Sequence, residues 1–172
     1  MDFALAYPHL VRSLVIVSPS INGCSYPVSM MWQGIKNFIN VRFKGHEQAI
    51  ESFIANRYWQ YFFPSPEKEA ARNKVLSIVR NPNNFCRFPP NLSKAAKPAA
   101  SERLREIEIP TLIVIADQDH PFNIRTAEAL HNTMKQSSHI MIRGCSHLPF
   151  IEKPKAFHDI LMEFLSHRNS SE

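Results

Sequence analysis

Glycine is scarce in this chain. Its 172 residues hold four, Gly23, Gly34, Gly45 and Gly144, where average usage of about 7% would give roughly a dozen. Loops that cradle phosphates and sharp turns that display a nucleophile both consume glycines, so the scarcity counts against either. Cysteine is also thin. Cys24, Cys86 and Cys145 are odd in number, far apart and outside any CxxC spacing. They fit a reducing compartment and suggest neither a disulfide framework nor a zinc site. Eight histidines are present, but no HExxH or paired His–Cys motif accompanies them, so no metal or organic cofactor is expected. Long apolar runs are missing too. The start, MDFALAYPHL, lacks the basic region of a secretory leader, and the nearby run Leu14–Val17 falls far short of a membrane span. The expectation is a soluble cytoplasmic protein with no membrane partner.

Hydrophobic residues make up 44% of the chain and charged residues 20%, a globular balance. The length suits one domain with room for an inserted lobe. Net charge is +5, which alone would permit an anionic partner. The basic residues are scattered, however, and the densest cluster, Lys94 to Arg105, also holds Glu102. That is the pattern of a solvated surface, and no nucleic-acid partner is expected.

Asp2–Tyr7 reads as a helix end before Pro8. Ser13–Val17 (SLVIV) reads as a strand buried on both faces. Met30 to about Val79 has helical spacing, as in Trp32, Ile35, Phe38 and Ile39. Asn81–Pro98 is loop, punctuated by Pro82, Pro89, Pro90 and Pro98. An alternation follows: strand Thr111–Ala116 (TLIVIA), helix Thr126–Lys135, strand His139–Ile142, helix Pro154–His167. Strands alternating with helices predict an α/β fold, here a partial parallel sheet of about three strands with flanking helices and a mainly helical insertion.

In parallel sheets, chemistry sits beyond the carboxyl ends of the strands. Three loops qualify: Ser18-Pro19-Ser20, Asp117-Gln118-Asp119-His120 and Gly144-Cys145-Ser146-His147. A carboxylate on the second could face the histidine on the third, and such a pair is the base half of a catalytic triad.

Three stretches carry a resemblance to the α/β-hydrolase superfamily. "IPTLIVIADQD" resembles the strand that presents the triad acid in a Gly-x-x-Asp pattern, with Ala116 in the glycine position and Asp119 in the acid position. "IRGCSHLPFIEKP" resembles the family's Gly-x-x-His-x-x-x-x-Glu-x-Pro ending, with His147 as the triad histidine. "DFALAYPHLVRSLVIVSP" resembles the segment that follows the nucleophile. The resemblance implies a hydrolase core at residues 1–20 and 107–172, a helical cap at 21–106, and Ser–His–Asp hydrolysis of an ester, amide or related bond in a small apolar substrate. The family's Gly-x-Ser-x-Gly turn occurs nowhere in the sequence. The expectation is therefore the C-terminal portion of such a hydrolase, inactive by itself. The alternative is a non-catalytic remnant or a binding module that complements another chain.

Other residues have blander readings. Asp117 rivals Asp119 but suits a loop or helix cap. His120 is read as loop surface that could line a pocket. Ser18, Ser20, Cys145 and Ser146 lack the strained turn that would make them nucleophiles. Trp32, Trp59 and Phe62 are candidates for substrate contact, within a set of aromatics that also suits the cap's own core. The edge of the first strand is expected to stand open, inviting self-association or a partner chain.

Overall fold

TLIVIA becomes the central strand of the sheet. In the computed structural model, which describes residues 1–81, 83–84 and 96–169, β1 (Leu14–Val17), β2 (Thr111–Ala116) and β3 (Ser137–Ile142) form one sheet in the order β1-β2-β3. Both pairings are parallel, with Leu14 opposite Thr111 and Ala116 opposite Ile142. Every residue of β2 is buried. The two-residue period of a strand explains how. Ile113 and Ile115 pack on one face with Ile21, Leu104, Ala127 and Leu130. Leu112, Val114 and Ala116 pack on the other with Phe157, Ile160 and Phe164.

Seven α-helices accompany the sheet among the described residues: α1 (Asp2–Ala6), α2 (Val28–Lys44), α3 (His46–Ala55), α4 (Glu69–Arg80), α5 (Pro121–Thr133), α6 (Pro149–Glu152) and α7 (Pro154–Asn169). The fold is α/β, with a mainly helical insertion between β1 and β2. The helical pattern expected from Met30 to about Val79 takes the form of α2, α3, the 3-10 segment Arg57–Phe62 and α4. Gly45, at φ +80°, makes the first break by taking a conformation that side-chain-bearing residues rarely adopt.

Other expectations need correction. β1 is not buried on both faces: Val15 is 37% exposed, on a strand that among the described residues hydrogen-bonds to β2 alone. α5 starts at Pro121 rather than Thr126, because His120 caps it through Nδ1 and proline is tolerated in a helix's first turn. β3 starts at Ser137, where Ser137 and Ser138 find pairing partners in Thr111 and Leu112. Most of the loop expected at Asn81–Pro98, including Cys86, lies outside the described residues. No described helix is long and apolar enough to cross a membrane.

Candidate active site

The carboxyl ends of β2 and β3 are zipped together by backbone. Asp117 N–H donates to Ile142 O at 3.3 Å and Gln118 N–H to Cys145 O at 3.1 Å. Asp117 adds its side chain, with Oδ1 accepting from Gly144 N at 2.6 Å. It caps the loop after β3 and not the start of α5. Gly144 sits at φ +64°, a left-handed turn that swings the following residues back toward β2.

This brings Asp119 and His147 together, 28 residues apart in sequence. His147 Nδ1 lies 3.0 Å from both carboxylate oxygens of Asp119. Asp119 Oδ1 also accepts from His120 N at 2.6 Å and from Asn123 Nδ2 at 2.8 Å. The Asp119 side chain is fully buried. Burial alone would raise its pKa. The hydrogen bond and charge of His147, with the donors on Asn123 and His120, outweigh that and hold the carboxyl below the ordinary aspartate range. An ionised carboxylate at Nδ1 fixes the ring proton there. Nε2 is then the acceptor, with no hydrogen-bond partner among the described residues, on a side chain 21% exposed. Such an imidazole can take a proton from a group placed before it and return it later.

The backbone of the histidine loop is held by several elements. His147 N–H donates to Tyr61 O at 3.1 Å. Ser18 Oγ donates to His147 O at 2.9 Å, and Ser146 Oγ donates to Phe63 O at 3.1 Å. Glu152, in α6, accepts from Ser146 N at 2.7 Å through Oε1 and from Lys68 Nζ at 2.8 Å through Oε2. Lys68 also donates to Gly144 O. Tyr61, Phe63 and Lys68 all belong to the helical insertion, so the insertion grips the loop that carries His147.

Aromatic rings wall the histidine. Phe62 and Tyr61 approach the His147 ring at 5.1 and 5.8 Å between centroids. Trp59 stands one layer behind, against Tyr58 and Tyr61. Trp32 is 59% exposed on α2, outside the group of rings that surrounds His147. His120 is more than surface. Its Nδ1 accepts from Phe122 N at 3.1 Å, which leaves the proton on Nε2 to donate to Tyr58 Oη at 3.3 Å. Burial, followed by Arg125, lowers its pKa against the opposing pull of Asp119, in keeping with that neutral form.

Three of the four rival nucleophiles are occupied elsewhere. Ser18 and Ser146 spend their hydroxyls on backbone carbonyls, as above. Ser20 is exposed. The Cys145 thiol is buried and donates to Ile142 O at 3.3 Å. Burial, then the charge of Glu152, pushes its pKa up to about 11. At pH 8 about one Cys145 in a thousand is therefore a thiolate. Iodoacetamide at pH 8, read by peptide mass mapping, should label the partly exposed Cys24 at least about a hundred times faster than Cys145. Equal rates would mean that the loop after β3 opens freely.

Asn123 was not anticipated from sequence, although it stands one helical turn after Asp119 and faces back toward it. The Lys68–Glu152 link spans 84 positions and has no local signature.

Comparison with known proteins bears on this arrangement. The pattern for the alpha/beta hydrolase fold matches residues 2–154. Protein ABHD14A of Rattus norvegicus is 26% identical over 90 residues, covering 52% of this chain and 37% of the relative. A putative 2-succinyl-6-hydroxy-2,4-cyclohexadiene-1-carboxylate synthase of Bacillus subtilis is 25% identical over 175 residues, covering 96% of this chain and 61% of the relative. Among solved structures, a thermophilic esterase from Thermogutta terrifontis superposes with a TM-score of 0.69 at 20% identity, covering 96% of this chain and 60% of that one. The chain thus spans less than two thirds of the length of these relatives. With a family match across most of its residues and a parallel sheet carrying the acid and the histidine on successive loops, the chain belongs to the alpha/beta hydrolase fold family.

Proposed function

We propose that this chain carries the acid–base half of a hydrolase site, cleaving an ester-type bond with a serine nucleophile contributed from outside these 172 residues. One observation carries the reading: His147 is held by the Asp119 carboxylate at Nδ1, 3.0 Å away, with Nε2 unpartnered among the described residues. In this scheme Nε2 takes the proton from the attacking hydroxyl and gives it to the leaving group. Asp119 holds the tautomer and stabilises the imidazolium. Residues 1–20 and 107–172 form the core and 21–106 the cap. Tyr58, Tyr61 and Phe62 support a small apolar substrate.

The test is complementation. The 172-residue chain should turn over p-nitrophenyl butyrate no faster than its His147→Ala variant. Joined to a segment carrying a Gly-x-Ser-x-Gly turn, it should hydrolyse the ester, and His147→Ala should remove at least about 10⁴-fold of that rate. Hydrolysis by the joined protein that His147→Ala leaves intact would refute the assignment.

A second reading has its own support. The open edge of β1 and the lack of a nucleophile motif favour a non-catalytic module that pairs with another chain through that edge. A joined protein that folds, carries the serine and stays inert would favour it.

A further inference from the structure

α2 is built inside out. It is 17 residues long, about 25 Å at 1.5 Å per residue, and none of its residues is buried. The side half-buried against the rest of the insertion carries Met30, Gln33, Asn37, Asn40 and Val41. Polar contact holds it there, with Gln33 Oε1 accepting from Asn56 Nδ2 at 2.9 Å. The opposite side carries Val28, Met31, Trp32, Ile35, Phe38, Ile39 and Phe43, all exposed. Their spacing makes one continuous stripe along the helix.

The charge on this stretch has one sign. Residues 3–46 contain no aspartate or glutamate, and α2 itself carries Lys36, Arg42 and Lys44. Among the described residues, seven of the sixteen exposed large hydrophobic side chains lie on α2 alone, so the concentration is not the ordinary scatter of a surface. Arg42 lies within the apolar stripe, its guanidinium 5.9 Å from the Phe43 ring centroid. An arginine there can lay its stem along apolar surface and lift its head to an anion.

We propose that the outer face of α2 binds an anionic lipid surface. Trp32, Phe38 and Phe43 would enter the boundary between headgroups and acyl chains, and Lys36 and Arg42, which flank or lie within the stripe, would meet lipid phosphates and carboxylates. An apolar face with aromatic anchors, cations and no acid is the composition of a helix that lies in that boundary. Such a helix lies on the membrane without crossing it. This proposal departs from the sequence-based expectation of no membrane partner, and it does not draw on the catalytic reading of Asp119 and His147.

The test uses the 172-residue chain with vesicles of phosphatidylcholine, alone or with about a third phosphatidylserine. Co-sedimentation should show binding to the anionic vesicles only, weakening as salt is raised. Trp32→Ser with Phe38→Ser should abolish it without changing the thermal unfolding midpoint, since both side chains are exposed. Lys36→Glu with Arg42→Glu should weaken it by at least about 25-fold, at roughly fivefold per cation near such a surface. Failure to bind anionic vesicles would overturn the proposal, as would binding that both double variants leave unchanged. A dimer in analytical ultracentrifugation that Trp32→Ser with Phe38→Ser dissolves would overturn it in favour of a second copy on the stripe. Loss of vesicle binding when a nucleophile-bearing segment is joined would overturn it in favour of that segment as occupant.

Discussion

Asp119→Asn should reverse the tautomer of His147. In the wild-type chain the ring proton sits on Nδ1, because an ionised carboxylate with no proton of its own lies 3.0 Å away. Asn123 Nδ2 lies 3.2 Å from the same nitrogen but gives its hydrogen bond to Asp119 Oδ1 at 2.8 Å. An asparagine at 119 brings an amide with two hydrogens to a position where acceptors are wanted. Its oxygen satisfies the His120 N–H, and its NH₂ faces the ring. The ring answers by moving its proton to Nε2, which can then no longer act as a base. Nitrogen-15 NMR on the 172-residue chain reads this directly: the Nδ1–H pattern of the wild type should give way to Nε2–H in the variant. A nucleophile-completed enzyme should lose about 10⁴-fold in kcat with the fold intact, the scale known for this change in serine triads. An unchanged tautomer would show that something other than Asp119 sets the ring.

Lys68→Met should be the most destabilising single change among the ion pairs. The Glu152 side chain is completely buried, while Lys68 keeps 29% exposure. Removing the lysine leaves a buried carboxylate with one donor, Ser146 N–H, and frees the Gly144 carbonyl. Breaking such a pair from one side costs several kcal/mol, here roughly 3 given the partial exposure of Lys68. At about 2–4 °C per kcal/mol for a domain of this size, the unfolding midpoint should fall by roughly 6–12 °C. Adding Glu152→Gln should restore most of the loss, because the uncompensated charge disappears. A loss under about 1 kcal/mol would mean that water reaches Glu152 and that the contact behaves as a surface pair.

β2 was legible to the residue because burial on both faces leaves an uninterrupted run of β-branched and aliphatic side chains between Pro110 and Asp117. SLVIV looked equivalent, yet β1 is partly exposed. Composition reports a strand's own preference and not whether a neighbour stands on each side. The start of α5 was missed because Pro121 reads as loop until His120 is seen to cap it. The pairing of Asp119 with His147 was legible through motifs that end two strands. The rest of the site was not. Tyr61 enters through its backbone carbonyl, which any residue type supplies. Lys68 meets Glu152 only after the chain has run through α4 and back through the sheet. Trp32 was placed in the right element but on the outward side, because periodicity gives a helix's faces without saying which one turns inward.

Asp119 and His147 sit on one β-helix-β unit running from Thr111 to His147. Its strands pair through six consecutive positions, and its crossover, α5, carries the asparagine that steadies the acid. The loop to be closed is short, and lengthening it would cost little, since closure entropy grows only with the logarithm of length. The pairing of Asp119 with His147 is thus a contact within this one unit, while the insertion secures the backbone of the histidine loop from outside it. In hydrogen exchange, the amides of β2 should be the last to exchange. The Asp119–His147 contact should persist under denaturant after α2 and β1 have let go, because both residues lie on the loops that end the most extensively paired strands.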